Sequence, residues 1–409
     1  MPTPARVLLT IALLVACVGC AESCAEDVKE LLADFKAAET AFYDQDFPAD
    51  ATDAERIARY KSYPRLAYLP RFLAIIEDDP SDDAALVASR WIVEQSNHQG
   101  SQWAPLFEAD AIAWGLLEKR QLPAEEIDRL CWEAQARPSP AREQFLRETI
   151  ARNNLPASAQ ANARAALAGL LAEQYHYAEM GDAWKWWQWP EDKYFEFLAT
   201  RLDPKWIKYA TSSDAQALRQ ESIELYHRVR DEYSDISSAN ATGYVGRDLA
   251  TLGQHAEQRL YALENLFVGA EAPDAEGRDL DGKPLRLSAY RGKVVLLSFW
   301  FPTCGPCHEA VPEERELVQR FHDEPFALLG VCRESDADAA QESAADHGMT
   351  WPSWLDGTSG AICEAYSVEG FPRFYLLDAE GRIVSKDVPV GRLAEAVEAV
   401  LHPPADARP

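Results

Sequence analysis

The sequence predicts an α + α/β chain, an irregular helical half followed by a sheet covered by helices on both faces. Three observations carry this. From about Asp27 to Phe267, apolar residues recur at spacings of three and four; Leu249, Leu252, Ala256, Leu260, Leu263 and Phe267 trace one such face. Near residue 268 this pattern gives way to Gly, Pro and Asp. After that, short apolar runs alternate with helical ones: KVVLLSFW (293–300), FALLGVC (326–332), RFYLLD (373–378) and GRIVSK (381–386). The 409 residues suffice for two or three domains, and 47% apolar content excludes a mainly disordered chain. A formal net charge of -27 argues against nucleic acid as a partner.

Residues 1–24 read as an export segment. Arg6 precedes the run VLLTIALLVA, which is too short for a stable bilayer span and fits the apolar core of a signal peptide. Leu14-Val15-Ala16-Cys17 resembles a bacterial lipoprotein box, in which Cys17 would carry a lipid anchor. Plain cleavage near Ala21 and an uncleaved anchor are the alternatives. The expected location is the bacterial periplasm or cell envelope.

Residues 25–267 form the expected all-helical domain. SAQANARAALAGLLAEQY (158–175) consists of strong helix formers. Pro80 with Ser81-Asp82-Asp83, and Leu122-Pro123-Ala124-Glu125, mark helix starts, while ARPSP (136–140) and NNLP (153–156) mark turns. Paired helices of this length suggest an α-solenoid, but no clean repeat has a fixed period. WKWWQWP (184–190) concentrates Trp184, Trp186, Trp187 and Trp189, which fit core or interdomain packing better than an aromatic binding groove. His176 and His227 stand isolated from any metal-binding or paired-carboxylate pattern. Cys131 reads as a small buried apolar residue.

Residues 268–403 form the expected α/β domain, with 404–409 as a tail. VGAEAPDAEGRDLDGKPLRL supplies a linker and a hairpin turning at Asp281-Gly282. DAEG (378–381) turns a second hairpin between the last two strands. Helical patterns fall at about 307–321, 336–347, 360–367 and 391–401.

The chemistry concentrates in FWFPTCGPCHEAVP (299–312). A dithiol catalyst needs one cysteine that is a thiolate at working pH and a second close enough to resolve the mixed disulfide. A strand-to-helix junction meets both needs. Cys304 at the helix N-terminus gains from the dipole and the free amides, and Cys307 lies one turn on. Gly305 and Pro306 keep the turn tight and start the helix, and Pro312 should kink it. In EGFPRFYLLD (369–378), a proline ahead of an apolar strand fits a cis Phe371–Pro372 bond facing the site.

Together these segments resemble the thioredoxin superfamily. The lead-in APDAEGRDLDGKPLRLSAYRGK and the added helix DADAAQESAADHG (336–348) are similar to exported TlpA/ResA-like thiol–disulfide oxidoreductases, over residues 270–402 only. The resemblance implies a thioredoxin fold and dithiol–disulfide exchange with protein or small-molecule thiols. It also implies Cys304 as nucleophile, Cys307 as resolver and Pro372 as cis-proline, with Trp300, Gly305 and Pro306 supporting them. Thr303, where Trp is common, and Phe371, in place of the usual Thr or Ile, are supporting positions at which the chain departs from the family, changes that bear on redox potential and partner choice. A membrane electron donor is a family-level expectation. CGPC favours the reducing direction by the same analogy; an oxidase or isomerase, or a helical partner-binding scaffold with a docking module, is the alternative.

The chain departs from its relatives at the acids. Thioredoxins carry a buried Asp six residues before the first cysteine, where this chain has Ser298. ResA-like members often carry a Glu three residues after the second cysteine, where it has Ala310. Glu309 is the candidate replacement. Two rival chemistries fail on spacing. The peroxiredoxin register P-x-x-x-T-x-x-C does not match adjacent Pro302 and Thr303, and a zinc site lacks a second CxxC. No metal or cofactor is expected. Cys332 and Cys363 form either a second disulfide or two separate buried thiols.

Overall fold

A computed structural model describes residues 27–45, 62–96, 104–136, 138–186, 204–237 and 251–403, with a few positions between 48 and 59. The export segment with Cys17, the tail 404–409, Leu249 and the side chains of the tryptophan cluster lie outside the described residues. The chain divides into two compact units, Met1–Gln95 and Ser96–Pro409.

The first unit holds α1 (Val28–Tyr43), α2 (Arg65–Asp78) and the bulk of α3 (Asp83–Ser96). Asp27 caps α1 by accepting from the Lys29 amide. Aromatic rings close its core: Trp91 stacks on Phe72 at 3.9 Å and meets Phe35 edge-on at 5.0 Å.

The second unit begins with α4 (Ala104–Lys119), α5 (Ala124–Ala136), α6 (Pro140–Ala151), α7 (Ala157–Trp186), α8 (Pro204–Thr211), α9 (Ala215–Glu232) and α10 (Leu252–Asn265). The start expected at Leu122-Pro123-Ala124-Glu125 is present, the turn expected at NNLP lies between α6 and α7, and Ser139 caps α6. Helix α7 is the hub, packed against α5, α6, α8, α9 and α10. Its alanine-rich stretch allows this, since Ala159, Ala163, Ala166 and Ala168 are buried and let neighbouring backbones approach closely. Cys131 is fully buried, as its apolar reading requires. The face traced by Leu252, Ala256, Leu260 and Leu263 is buried along α10, but the helix ends at Asn265, so Phe267 stacks under Arg219 instead.

Then the grammar changes. Strands β1 (Glu276–Arg278) and β2 (Pro284–Arg286) form the hairpin, with Gly282 at φ +78° in its turn. The five-stranded sheet follows: β3 (Val294–Trp300), β4 (Phe326–Cys332), β5 (Ser353–Leu355), β6 (Arg373–Leu377) and β7 (Ile383–Lys386), in order β5-β4-β3-β6-β7. β3, β4 and β5 run parallel; β6 is antiparallel to β3, and β7 is antiparallel to β6. Helices α11 (Gly305–Arg320), α12 (Ala337–Asp346), α13 (Ala361–Ala365) and α14 (Leu393–Leu401) cover the sheet. This is the thioredoxin fold behind a helical half. β3 is buried on both sides, as a central strand must be. Val295, Leu297 and Phe299 face the layer of Tyr366 and Tyr375; Val294 and Leu296 face the layer of α11 and α14. Only β5 escaped the sequence, because three residues are too short to show a period.

The helices meet this domain beside its edge strand. Arg259 on α10 pairs with Glu369 at 2.9 Å, Tyr261 donates to the Ala365 carbonyl, and Lys386 on β7 pairs with Glu179 at 3.3 Å. His176 sits 3.4 Å from Asp387, and His227 sits 3.1 Å from Glu264.

Candidate active site

β3 ends at Trp300, and the chain turns through Phe301, Pro302 and Thr303 into α11. Cys304 is the N-cap of that helix. Its backbone is extended (φ -84°, ψ 97°), and its sulfur accepts from the Cys307 amide at 3.2 Å. Gly305 and Pro306 occupy the first helical turn, both exposed, so the missing proline N–H falls where no intrahelical bond exists. Cys304 and Cys307 are joined as a disulfide with Cα atoms 5.2 Å apart. Both are nearly buried, at 4% and 3% exposure. Pro312 lies inside α11, as expected.

The second wall comes from β6. Phe299 on β3 pairs with Arg373, so the residue before Arg373 lies alongside Trp300. That residue is Pro372, and the Phe371–Pro372 bond is cis. Phe371 packs on the cluster of Trp300, Cys304, Cys307, Cys332 and Ala340, and meets Phe301 edge-on at 5.2 Å. Gly330 on β4 is required by close approach. A Cβ there would lie 1.9 Å from Ser353 Oγ and 3.1 Å from Trp300 Nε1.

A pair of histidines borders the site and was not singled out from sequence. The His308 and His347 rings stack at 3.6 Å, and Ser343 Oγ lies 3.3 Å from both His308 Nε2 and the Pro302 carbonyl. Burial, and then the neighbouring His347, hold the His308 pKa below the usual imidazole value. A vicinal dithiol on a helix N-terminus, walled by an aromatic proline loop, can pass between dithiol and disulfide.

Comparison with known proteins agrees. The Redoxin family model matches residues 267–401. Thiol-disulfide oxidoreductase ResA of Geobacillus thermodenitrificans (strain NG80-2) is 33% identical over 136 residues, covering 33% of this chain and 78% of that protein. This chain belongs to the ResA-like thiol–disulfide oxidoreductases. ResA of Bacillus subtilis (strain 168) is 28% identical over 134 residues, covering 33% of this chain and 73% of that protein. A thiol:disulfide interchange protein from Bacteroides sp., solved in solution, shares 28% identity over 34% of this chain and 93% of its own, with a TM-score of 0.32. These matches cover the C-terminal third only.

Two expectations within this ResA-like domain need correction. Glu309 is exposed, about 200° around α11 from Cys307, so it points away from the thiols. Cys332 and Cys363 are free, not bonded to each other. Cys332 ends β4 in the layer under the active-site helix, while Cys363 belongs to the opposite layer with Phe299 and Tyr366. Burial pushes the Cys332 thiol up to about 12, helped by Glu334 and Asp356. The Cys363 thiol is raised as well, by burial and then by Asp356. Neither is a thiolate at neutral pH.

The acid that sequence reading missed is Glu314. It is 2% exposed on α11, and its carboxyl lies beside the Ser298 hydroxyl of β3. The signal was in the spacing: positions 307, 310, 311 and 314 share one helix face, so an acid at 314 was bound for the core.

Proposed function

We propose that the chain is an exported thiol–disulfide reductase acting through Cys304 and Cys307. The observation that carries this reading is the cysteine pair at the start of α11 with the Phe371–Pro372 loop beside it. Cys304, at the dipole's positive end, is the nucleophile that opens a substrate disulfide, and Cys307 resolves the resulting mixed disulfide. The main chain of Phe371 pairs with an extended substrate segment around its cysteine. Protein and small-molecule disulfides are the substrate class. Trp300, Thr303, Gly305 and Pro306 shape the turn that presents Cys304.

Export is supported by the apolar run after Arg6, and a lipid anchor by the box ending at Cys17. Among the described residues no helix is long and apolar enough to cross a membrane. A membrane electron-transfer protein is the proposed donor that returns the disulfide to the dithiol.

Direction is tested by equilibrating the purified protein with glutathione buffers and scoring the Cys304–Cys307 state by mass. A reductase should show a potential below about -200 mV. A value well above that would transfer the protein to the oxidase or isomerase reading.

A further inference from the structure

Closing the Cys304–Cys307 disulfide requires Cys307 to lose its proton inside the protein, because it is only 3% exposed. Neither Ser298 on β3 nor Ala310 on α11 carries a carboxyl. One buried acid does lie on this face. Glu314 follows Cys307 by seven residues, two turns and about 10 Å along α11. Cys307, Ala310, Val311, Glu314 and Leu317 are the buried residues of that helix. Helical side chains lean toward the N-terminus, so the Glu314 carboxyl reaches back toward the cysteine end. There it meets the hydroxyl of Ser298, two residues before Trp300, which packs with both cysteines. Glu314 is 2% exposed, and among the described residues its Oε1 has no hydrogen-bond partner. A carboxyl oxygen left unpaired in an apolar layer costs stability, and a leucine there would pack as Leu317 does.

We propose that Glu314 is the internal proton acceptor for Cys307, delivered by the helix to the Ser298 hydroxyl on β3. In the mixed disulfide, Cys304 is bonded to a substrate sulfur. The Cys307 S–H bond breaks and its proton is relayed by water to a Glu314 carboxylate oxygen. The Cys307 thiolate then attacks the Cys304 sulfur, the bond from Cys304 to the substrate breaks, and the departing substrate thiolate takes up a proton. Overall, the two enzyme thiols are oxidised to a disulfide as the substrate disulfide is reduced to two thiols.

The surroundings suit this task. Burial raises the Glu314 pKa to about 7, Glu313 adds to the rise, and the Ser298 hydrogen bond opposes it. Glu313 is itself fixed by the Gly391 and Leu393 amides. From the sheet and α14 the layer presents Leu328, Phe374, Leu376, Leu393 and Val397, all apolar, and among the described residues no cation acts on the carboxyl. An acid ionising near neutrality is a useful base there.

The proposal rests on Cys307 being the resolving thiol, and one experiment separates the two claims. The reduced full-length protein is mixed with a chromogenic aromatic disulfide in stopped flow. One coloured thiolate is released as Cys304 forms the mixed disulfide, and a second as Cys307 closes the ring. The second phase in the parent protein should rise with an inflection near pH 7. Glu314→Gln should slow that phase about tenfold or more at neutral pH and abolish the inflection, while the first phase is unchanged. Glu314→Leu should behave alike, and adding Ser298→Asp to it should restore the inflection. A Glu314→Gln second phase at the parent rate, or a slower one with the inflection intact, overturns the proposal. A second phase that persists in Cys307→Ser removes the resolving assignment itself.

Discussion

At the scale of single residues, the site shows what pattern reading can and does not reach. The cysteines, Pro312 inside α11 and the cis Pro372 were legible because each breaks a local rule at a fixed place in the chain. Glu314 was not, because a glutamate in a helix is ordinary until the buried face is known. Its burial has a consequence for folding as well as for chemistry. A carboxyl whose pKa is about 7 in the folded chain, against an ordinary 4.5, binds more protons when folded. Stability therefore falls as pH rises from about 4.5 to about 7 and stays lower above it. The shift corresponds to roughly 3 kcal/mol at most. Glu314→Leu should accordingly be more stable than the parent at pH 8, with the difference shrinking toward pH 4.5, as followed by urea denaturation. An equal difference at both pH values would show that the carboxyl does not titrate in the fold.

At the scale of elements, α10 links the two kinds of architecture. Arg259 reaches Glu369, two residues before Phe371, and Tyr261 reaches the end of α13. His255, one turn earlier on α10, is 4% exposed between Trp132 and Tyr226, and among the described residues its Nδ1 has no hydrogen-bond partner. Burial, reinforced by the charge of Arg259, lowers its pKa to about 3. The unfolded chain then binds the extra proton first, so stability is lost as pH falls through 6.5, by about 2 kcal/mol at pH 5. This is opposite in sign to the effect of Glu314. His255→Phe keeps a ring between Trp132 and Tyr226 and should flatten the acid loss between pH 6.5 and 5 in chemical denaturation. Parent-like acid sensitivity in that variant would rule His255 out as its source. The helices themselves were legible from spacing and from their caps, and the four longer strands from their apolar runs. Strand β5 and the contacts of α10 were not, since a three-residue strand has no period and an ion pair between residues 259 and 369 leaves no mark on local sequence.

At the scale of the whole molecule, a ResA-like domain of about a third of the chain is joined to a helical region that the family match does not cover. The compact unit that contains Cys304 and Cys307 begins at Ser96, so α4 to α10 belong to one unit with the redox domain, which α7 and α10 touch. The change of sequence pattern near residue 268 marked where the type of structure changes, but not where packing divides, because composition records local preference and not which layers meet. The net charge of -27 disfavours nucleic acid as a partner of either part. The central claim concerns two sulfur atoms, and trapping tests it most directly. The full-length Cys307→Ser protein is exposed to a disulfide-containing extract, the adducts are purified, and the linked peptide is identified by mass spectrometry. The account predicts mixed disulfides on Cys304 that reductant releases and that Cys304→Ser abolishes. Adducts that persist without Cys304, or that map to Cys131, Cys332 or Cys363, would contradict it.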